Sequence, residues 1–172
     1  MLVIFNQTLT LAATQQDAWD LLRDTKRLAG LIPGVESIAP LSIDGAMDSG
    51  GDRDAGPQEK HVARVVERVG PFRLNLTLEI RIVQAVEPSL LQAELNGTDR
   101  HRQNRLSGTL RAELKETASA GTLLSMDSSV EVTGALAALG AAPIRRRANE
   151  LFAQFAERLQ GQFSPAGEES TS

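Results

Sequence analysis

The sequence predicts an α+β domain in which a mostly antiparallel sheet curves around one long C-terminal helix. Three observations carry that prediction. Leu74, Leu76, Leu78, Ile80 and Ile82 alternate with Arg73, Asn75, Thr77, Glu79 and Arg81, the period-two pattern of a sheet with one dry and one wet face. Ile144, Ala148, Leu151, Phe152, Phe155, Leu159 and Phe163 recur at three- and four-residue steps, an amphipathic helical stripe. The strand patterns are grouped rather than interleaved with helices, which separates α+β from α/β. A chain of 172 residues suits one compact domain. Its ordered part is expected over residues 1–163, with a polar, disordered tail over 164–172.

Residues 2–11 open the chain as a strand, with Val3, Phe5, Leu9 and Leu11 on alternating positions. Thr14 and Asp17 have the spacing of a helix N-cap and its box partner, and Ala18, Trp19, Leu21 and Leu22 give the helix an apolar face. A second short helix is expected from Thr25 to Leu31, stopped by Pro33-Gly34. Val35 to Ile43 reads as a strand, and the acidic, Gly-rich stretch 44–58 as a long mobile loop. Strands are expected at His61–Val69, Phe72–Val83 and Leu90–Leu95, followed by a polar turn through residues 96–104. Leu106 to Leu114 and Leu124 to Val132 complete the sheet, and Gly97 and Gly108 mark sharp bending or close approach. The helical stripe of about 20 residues is about 30 Å long, enough to cross a small domain.

Composition narrows the function. One Trp, no Tyr and five Phe leave an interior built from Leu, Val, Ile and Ala, which suits apolar cargo and also suits a plain core. A net charge of −4 with dispersed Lys and Arg argues against nucleic acid. The absence of Cys removes thiolate metal sites, disulfides and Cys nucleophiles, and fits a reducing cytoplasm. The start, Met1 to Phe5, lacks a basic region and meets Asn6 and Gln7, so it does not read as a secretory signal. The apolar stretch from Gly134 to Ile144 is too short and too broken to span a bilayer. The expectation is a soluble, cytoplasmic protein, with peripheral contact at the inner face of the membrane left open.

Several local motifs fall in a recognisable order: Asp17-Ala18-Trp19, Leu31-Ile32-Pro33-Gly34-Val35-Glu36, Val69-Gly70-Pro71-Phe72, Gly121-Thr122, and Gly134-Ala135-Leu136-Ala137-Ala138-Leu139-Gly140. In this order and spacing, from Phe5 to about Phe163, the chain resembles the G-subunit family of carbon monoxide dehydrogenase, within the START-like (polyketide cyclase, birch-pollen allergen) superfamily. The resemblance implies a helix-grip fold: a seven-stranded antiparallel sheet around the C-terminal helix, with two short helices after the first strand. It implies carriage of a hydrophobic small molecule, lipid or quinone-like, in service of a molybdenum hydroxylase, with no cofactor of its own. The stretch 44–58 is longer than the family's turn, and the chain ends nine residues after the helix, where some relatives carry an extension toward the membrane.

No nucleophile motif, phosphate loop or metal-binding helix motif is present. His61 and His101 fall at polar positions and read as solvated surface residues. Glu67, Glu79, Glu94, Glu113 and Asp127 read as unpaired carboxylates on wet strand faces. Arg100, Arg102 and Arg105 form a cationic turn, and Arg145 to Arg147 begin the last helix, with Arg147 placed to pair with Glu150. The expected ligand-facing residues are Leu76, Leu78, Ile80, Leu95, Leu110, Met126 and Val130 on the sheet, and Leu151, Phe152, Phe155 and Leu159 on the helix. Ile32 and Pro33 are expected at the mouth. Catalytic and metal sites are expected to be absent. Two alternatives stand beside the carrier: an adaptor that docks an oxidoreductase, and a cyclase- or aromatase-like enzyme, for which the inward polar candidates are Thr122 and Ser128.

Overall fold

A computed structural model describes residues 1–40, 59–100, 103–119 and 121–163. The elements run β1 (Leu2–Leu11), α1 (Gln15–Arg23), α2 (Thr25–Leu31), β2 (Val35–Pro40), β3 (Glu59–Val69), β4 (Phe72–Val86), β5 (Leu90–Asp99), β6 (Asn104–Glu116) and β7 (Thr122–Gly134). A 3₁₀ turn over Ala135–Leu139 then leads into α3 (Ala141–Phe163). The described strands form one seven-stranded antiparallel sheet in the order β1-β7-β6-β5-β4-β3-β2. The helix-grip architecture expected from the sequence is the one observed.

Short polar side chains set the helix ends. Thr14 Oγ1 accepts from the Asp17 amide at 3.0 Å and caps α1. Asp24 closes α1 and caps α2, its Oδ1 accepting from the Arg27 amide at 3.2 Å. One residue thus breaks what would otherwise be a single helix.

Strand pairing overrides the sequence reading at one place. Residues 96–99 continue β5 rather than opening a turn, because Asn96, Gly97 and Thr98 are paired on both sides, to β4 and β6. The turn begins only at Asp99, whose carboxylate accepts from the Gln103 amide at 2.7 Å and Asn104 Nδ2 at 2.8 Å. Asn104 Oδ1 in turn accepts from the Leu136 amide at 2.6 Å, which fixes the 3₁₀ turn to the start of β6. The stretch 44–58 and the end of the strand expected through Ile43 lie outside the described residues, as do His101, Arg102 and the tail 164–172.

Gly108 is required by close approach. A Cβ there would lie 2.1 Å from the Ser129 carbonyl oxygen and 2.8 Å from Val130 Cα, both backbone atoms that cannot step aside. Gly108→Ala is expected to destabilise the protein by about 3 kcal/mol, measured by urea denaturation, because β7 must move off β6.

The interior divides into two buried clusters. The first joins α1, α2 and the C-terminal half of α3 to the sheet through Leu11, Trp19, Leu21, Leu114, Leu124, Phe155 and Leu159. The second lies at the opposite end of the strands, where Val3, Val69, Leu74, Leu76, Val132 and Leu136 meet beneath the 3₁₀ turn. Among the described residues no helix is long and apolar enough to cross a membrane.

Candidate functional site

Strand register assembles the concave face residue by residue. One transverse row reads Glu59, Ile82, Ala93, Leu110, Ser128 and Phe5, crossing β3, β4, β5, β6, β7 and β1. The row beside it reads His61, Ile80, Leu95, Gly108, Val130 and Val3. Side chains two residues apart on a strand share a face, so these rows and the flanking Ala63–Leu78–Gly97 row line one surface under α3. Gly97 leaves room for its neighbour there: a Cβ at residue 97 would sit 3.1 Å from Leu78 Cδ1.

This band falls between the two cores. Phe5, Leu78, Ile80, Ile82, Leu95 and Leu110 on the sheet and Leu151 on the helix are half-buried and belong to neither cluster. The α3 backbone runs close to β1 and approaches β3, while β4, β5 and β6 lie farther from it. At the β1 end Phe5 and Phe152 meet edge to face, ring centroids 5.7 Å apart, which closes that side of the band.

The residues expected to face a ligand are therefore split by the structure. Leu78, Ile80, Leu95, Leu110 and Leu151 lie in the band. Leu76 is buried in the second core and Val130 packs against it. Phe155 and Leu159 are buried in the first core, with Met126, Phe152 and Ile32 packed against it, and Pro33 is half-buried in the turn between α2 and β2. Surface grooves also exist on the convex side of the sheet. One of about 420 Å³ is lined mainly by outward residues such as Ile4, Asn6, Val83, Glu94, Arg111 and Asp127, and also touches Ala93, Leu110 and Ser128 between them. It belongs to the outer face, and the band beneath α3 is defined by register and burial instead.

The polar boundary of the band departs from the sequence reading. His61 is not a solvated surface residue: it is 9% exposed and points onto the concave face beside Ile80. Its Nε2–H donates to Glu59 Oε2 at 2.7 Å, and Glu59 Oε1 accepts from Arg23 Nη2 at 2.5 Å. Arg23 lies 6.0 Å from the centroid of the Trp19 ring, so the chain of polar contacts is anchored on α1. Burial pushes the Glu59 carboxyl up, but hydrogen bonds and charge from Arg23 and His61 together outweigh it and hold the group below its ordinary range. The Nδ1 atom of His61 is buried and, among the described residues, has no hydrogen-bond partner.

Glu67 is also corrected. It faces inward from β3, 13% of its side chain exposed, and accepts from Arg147 Nη2 at 2.5 Å. Arg147 Nη1 donates to Glu150 at 2.9 Å, the partner expected from sequence, and hydrogen bonding to Glu67 and Glu150 raises the guanidinium pKa further. Glu94 pairs with Arg81 and Asp127 accepts from Asn6 at 2.6 Å, so neither is an isolated carboxylate. Thr122 and Ser128 do point inward, but both are satisfied locally. Thr122 donates to the Ala13 carbonyl at 2.7 Å and Ser128 to the Thr109 carbonyl at 2.9 Å. Among the described residues no cluster of His, Asp or Glu could hold a metal ion.

Because the folded Glu59 carboxyl titrates below its unfolded value, its contribution to stability is present above the ordinary carboxylate range. It is lost as pH falls through the lower folded value. Glu59→Gln is expected to flatten the acid limb of the stability curve without changing its shape at neutral pH. Denaturation titrations from pH 7 down to pH ~3 check this.

No protein-family model and no curated protein sequence matches the chain. Solved structures do. A conserved protein from Geobacillus kaustophilus superposes with a TM-score of 0.77 at 18% identity, over 94% of this chain and 95% of that one. A START superfamily protein from Mycobacterium smegmatis superposes with a TM-score of 0.63 at 15% identity, over 94% and 97% of the two chains. The chain shares their fold, a seven-stranded antiparallel sheet around a long C-terminal helix. The Zhui aromatase/cyclase from Streptomyces sp. R1128 shares it, with a TM-score of 0.66 at 13% identity over 95% and 94% of the chains. At these identities the likeness establishes the fold and nothing narrower. The band beneath α3 lies between the sheet and the gripped helix of that fold.

Proposed function

We propose that residues 1–163 form one domain that binds a hydrophobic small molecule, lipid or quinone-like, in the band between the sheet and α3, without catalysis. The observation that carries this reading is the partial exposure of Leu78, Ile80, Ile82, Leu95, Leu110 and Leu151, which face inward yet pack into neither core. Aliphatic side chains placed under a helix and left half-covered lack protein atoms to touch, and an apolar guest supplies them. Each buried methylene contributes about 0.8 kcal/mol, so a long alkyl chain binds tightly with few polar contacts. The sequence resemblance to the G-subunit family of carbon monoxide dehydrogenase extends the reading to a cytoplasmic carrier that serves a molybdenum hydroxylase and meets the inner membrane face peripherally. Native mass spectrometry and organic extraction of the purified protein are expected to recover an apolar molecule. Recovery of none, together with failure to bind a neutral fluorescent probe, would defeat the proposal.

One observation favours a second reading, an aromatase/cyclase-like enzyme: the His61–Glu59 pair supplies the inward acid–base group that such chemistry requires. Incubation with a linear poly-β-ketone thioester separates the readings. A cyclised product that disappears in His61→Ala supports catalysis, and unchanged substrate supports carriage.

A further inference from the structure

The unsatisfied nitrogen of His61 identifies a polar feature of the cargo; this inference rests on the binding reading above. Glu59 is held ionised by Arg23 and can only accept hydrogen bonds, so Nε2 of His61 must carry the proton of that contact. With Nε2–H committed to Glu59, the neutral form of the ring carries its lone pair at Nδ1. The residues across the ladder from His61 are Ile80 on β4 and Pro40 on β2, neither with a side-chain donor, and proline also lacks an amide proton. The backbone of β4 opposite is paired on both sides, to β3 and β5. The other inward polar side chains of the sheet differ in this respect: Thr122, Ser128 and Asn104 each have a partner. A buried acceptor with no donor is costly to leave unmade, so its retention at the end of an otherwise aliphatic band has the form of half a binding contact.

We propose that His61 Nδ1 accepts a hydrogen bond from a hydroxyl group of the ligand. The cargo is then amphipathic in a defined sense. Its apolar body lies across Ile80, Ile82, Leu95 and Leu110 toward Phe5, and an alcoholic or phenolic O–H sits at the β3 end. Five strand spacings separate β3 from β1, about 24 Å along the sheet, so a long alkyl or isoprenoid tail fits in the same direction. Arg23 and Glu59 act as positioning residues, fixing which ring nitrogen is free.

Matched pairs of ligands test this on the delipidated full chain, by displacement of the neutral probe N-phenyl-1-naphthylamine. The pairs are 4-nonylphenol with 4-nonylanisole, and 1-dodecanol with its methyl ether. Each ether is the more apolar member, so burial alone favours it, and a preference for the hydroxyl must come from a polar contact. The hydroxyl member of at least one pair is expected to bind about 5- to 10-fold tighter than its ether, and the pair that shows the preference tells a phenol from an alcohol. His61→Leu should abolish the preference, the ether then binding at least as tightly as its hydroxyl partner. Equal affinities in the wild type, or a preference that survives His61→Leu, would overturn the assignment while leaving the carrier reading intact. Failure of the probe and all four compounds to bind would overturn both. The ¹⁵N resonance of His61 Nδ1, assigned with the aid of His101→Gln, gives a readout that needs no substitution at His61. It should shift on addition of the preferred hydroxyl compound and not of its ether, and an unselective or absent shift overturns the proposal.

Discussion

Replacing Leu124 with alanine is expected to cost about 3–5 kcal/mol in stability, whereas Leu110→Ala should cost about 1 kcal/mol. Both residues point to the concave face, on neighbouring strands, and a sequence pattern cannot tell them apart. Leu124 is completely buried in the first core among β1, β6, α1 and the end of α3, so truncation leaves a cavity that the surrounding side chains close only in part. Leu110 belongs to neither core and is already half-covered, so on the carrier reading truncation enlarges the ligand's space and removes few protein contacts. Guanidinium denaturation of the two variants, each with the ligand extracted, measures the difference directly. Equal losses would mean that the space over Leu110 is filled by protein, and the carrier reading would fall with it. With ligand present, Leu110→Ala should also lose part of the stabilisation that binding confers, and Leu124→Ala should keep it.

The comparison of these leucines marks where the sequence stops being informative. The alternation from Leu74 to Ile82 gives the wet and dry faces of β4 without ambiguity, and the stripe from Ile144 to Phe163 gives the buried face of α3. Yet Leu76 and Leu78 have the same residue type and the same parity. Leu76 is buried because the 3₁₀ turn closes its end of the sheet, and Leu78 stays open because it lies beyond that cover. What covers a residue is a tertiary fact, and local periodicity does not carry it. Strand β3 is harder still. Val62, Val65, Val66 and Val69 occupy both parities, so nothing in the segment says whether His61 faces water or the interior; the pairing of His61 with Ile80 decides. Glu67 is obscured in the same way, since its partner Arg147 is 80 residues away on α3. The polar rim of the site is therefore the part least visible in the residues alone, and its apolar floor the part most visible.

Filling the band should abolish binding without unfolding the protein. Leu110→Trp is expected to weaken an alkyl ligand by about two-hundredfold, because the indole takes the space of about four methylenes at about 0.8 kcal/mol each. Its N–H needs a partner, and the Ser128 hydroxyl, directly across the ladder from Leu110, retains lone pairs while donating to the Thr109 carbonyl. Leu95→Phe is the companion variant with no polar group to place, and it should reduce affinity in the same direction by a smaller factor. If these side chains enter the ligand's space, as the carrier reading requires, thermal stability of the ligand-free protein should be unchanged or raised, whereas the same enlargement at Leu114, 1% exposed, should overpack the core and cost about 1–3 kcal/mol. Probe titration and thermal melts on the three variants supply both readouts. If Leu110→Trp lowers stability as Leu114→Trp does while affinity is retained, the ligand lies elsewhere on the molecule, and the outer groove at Ile4 and Val83 becomes the place to look.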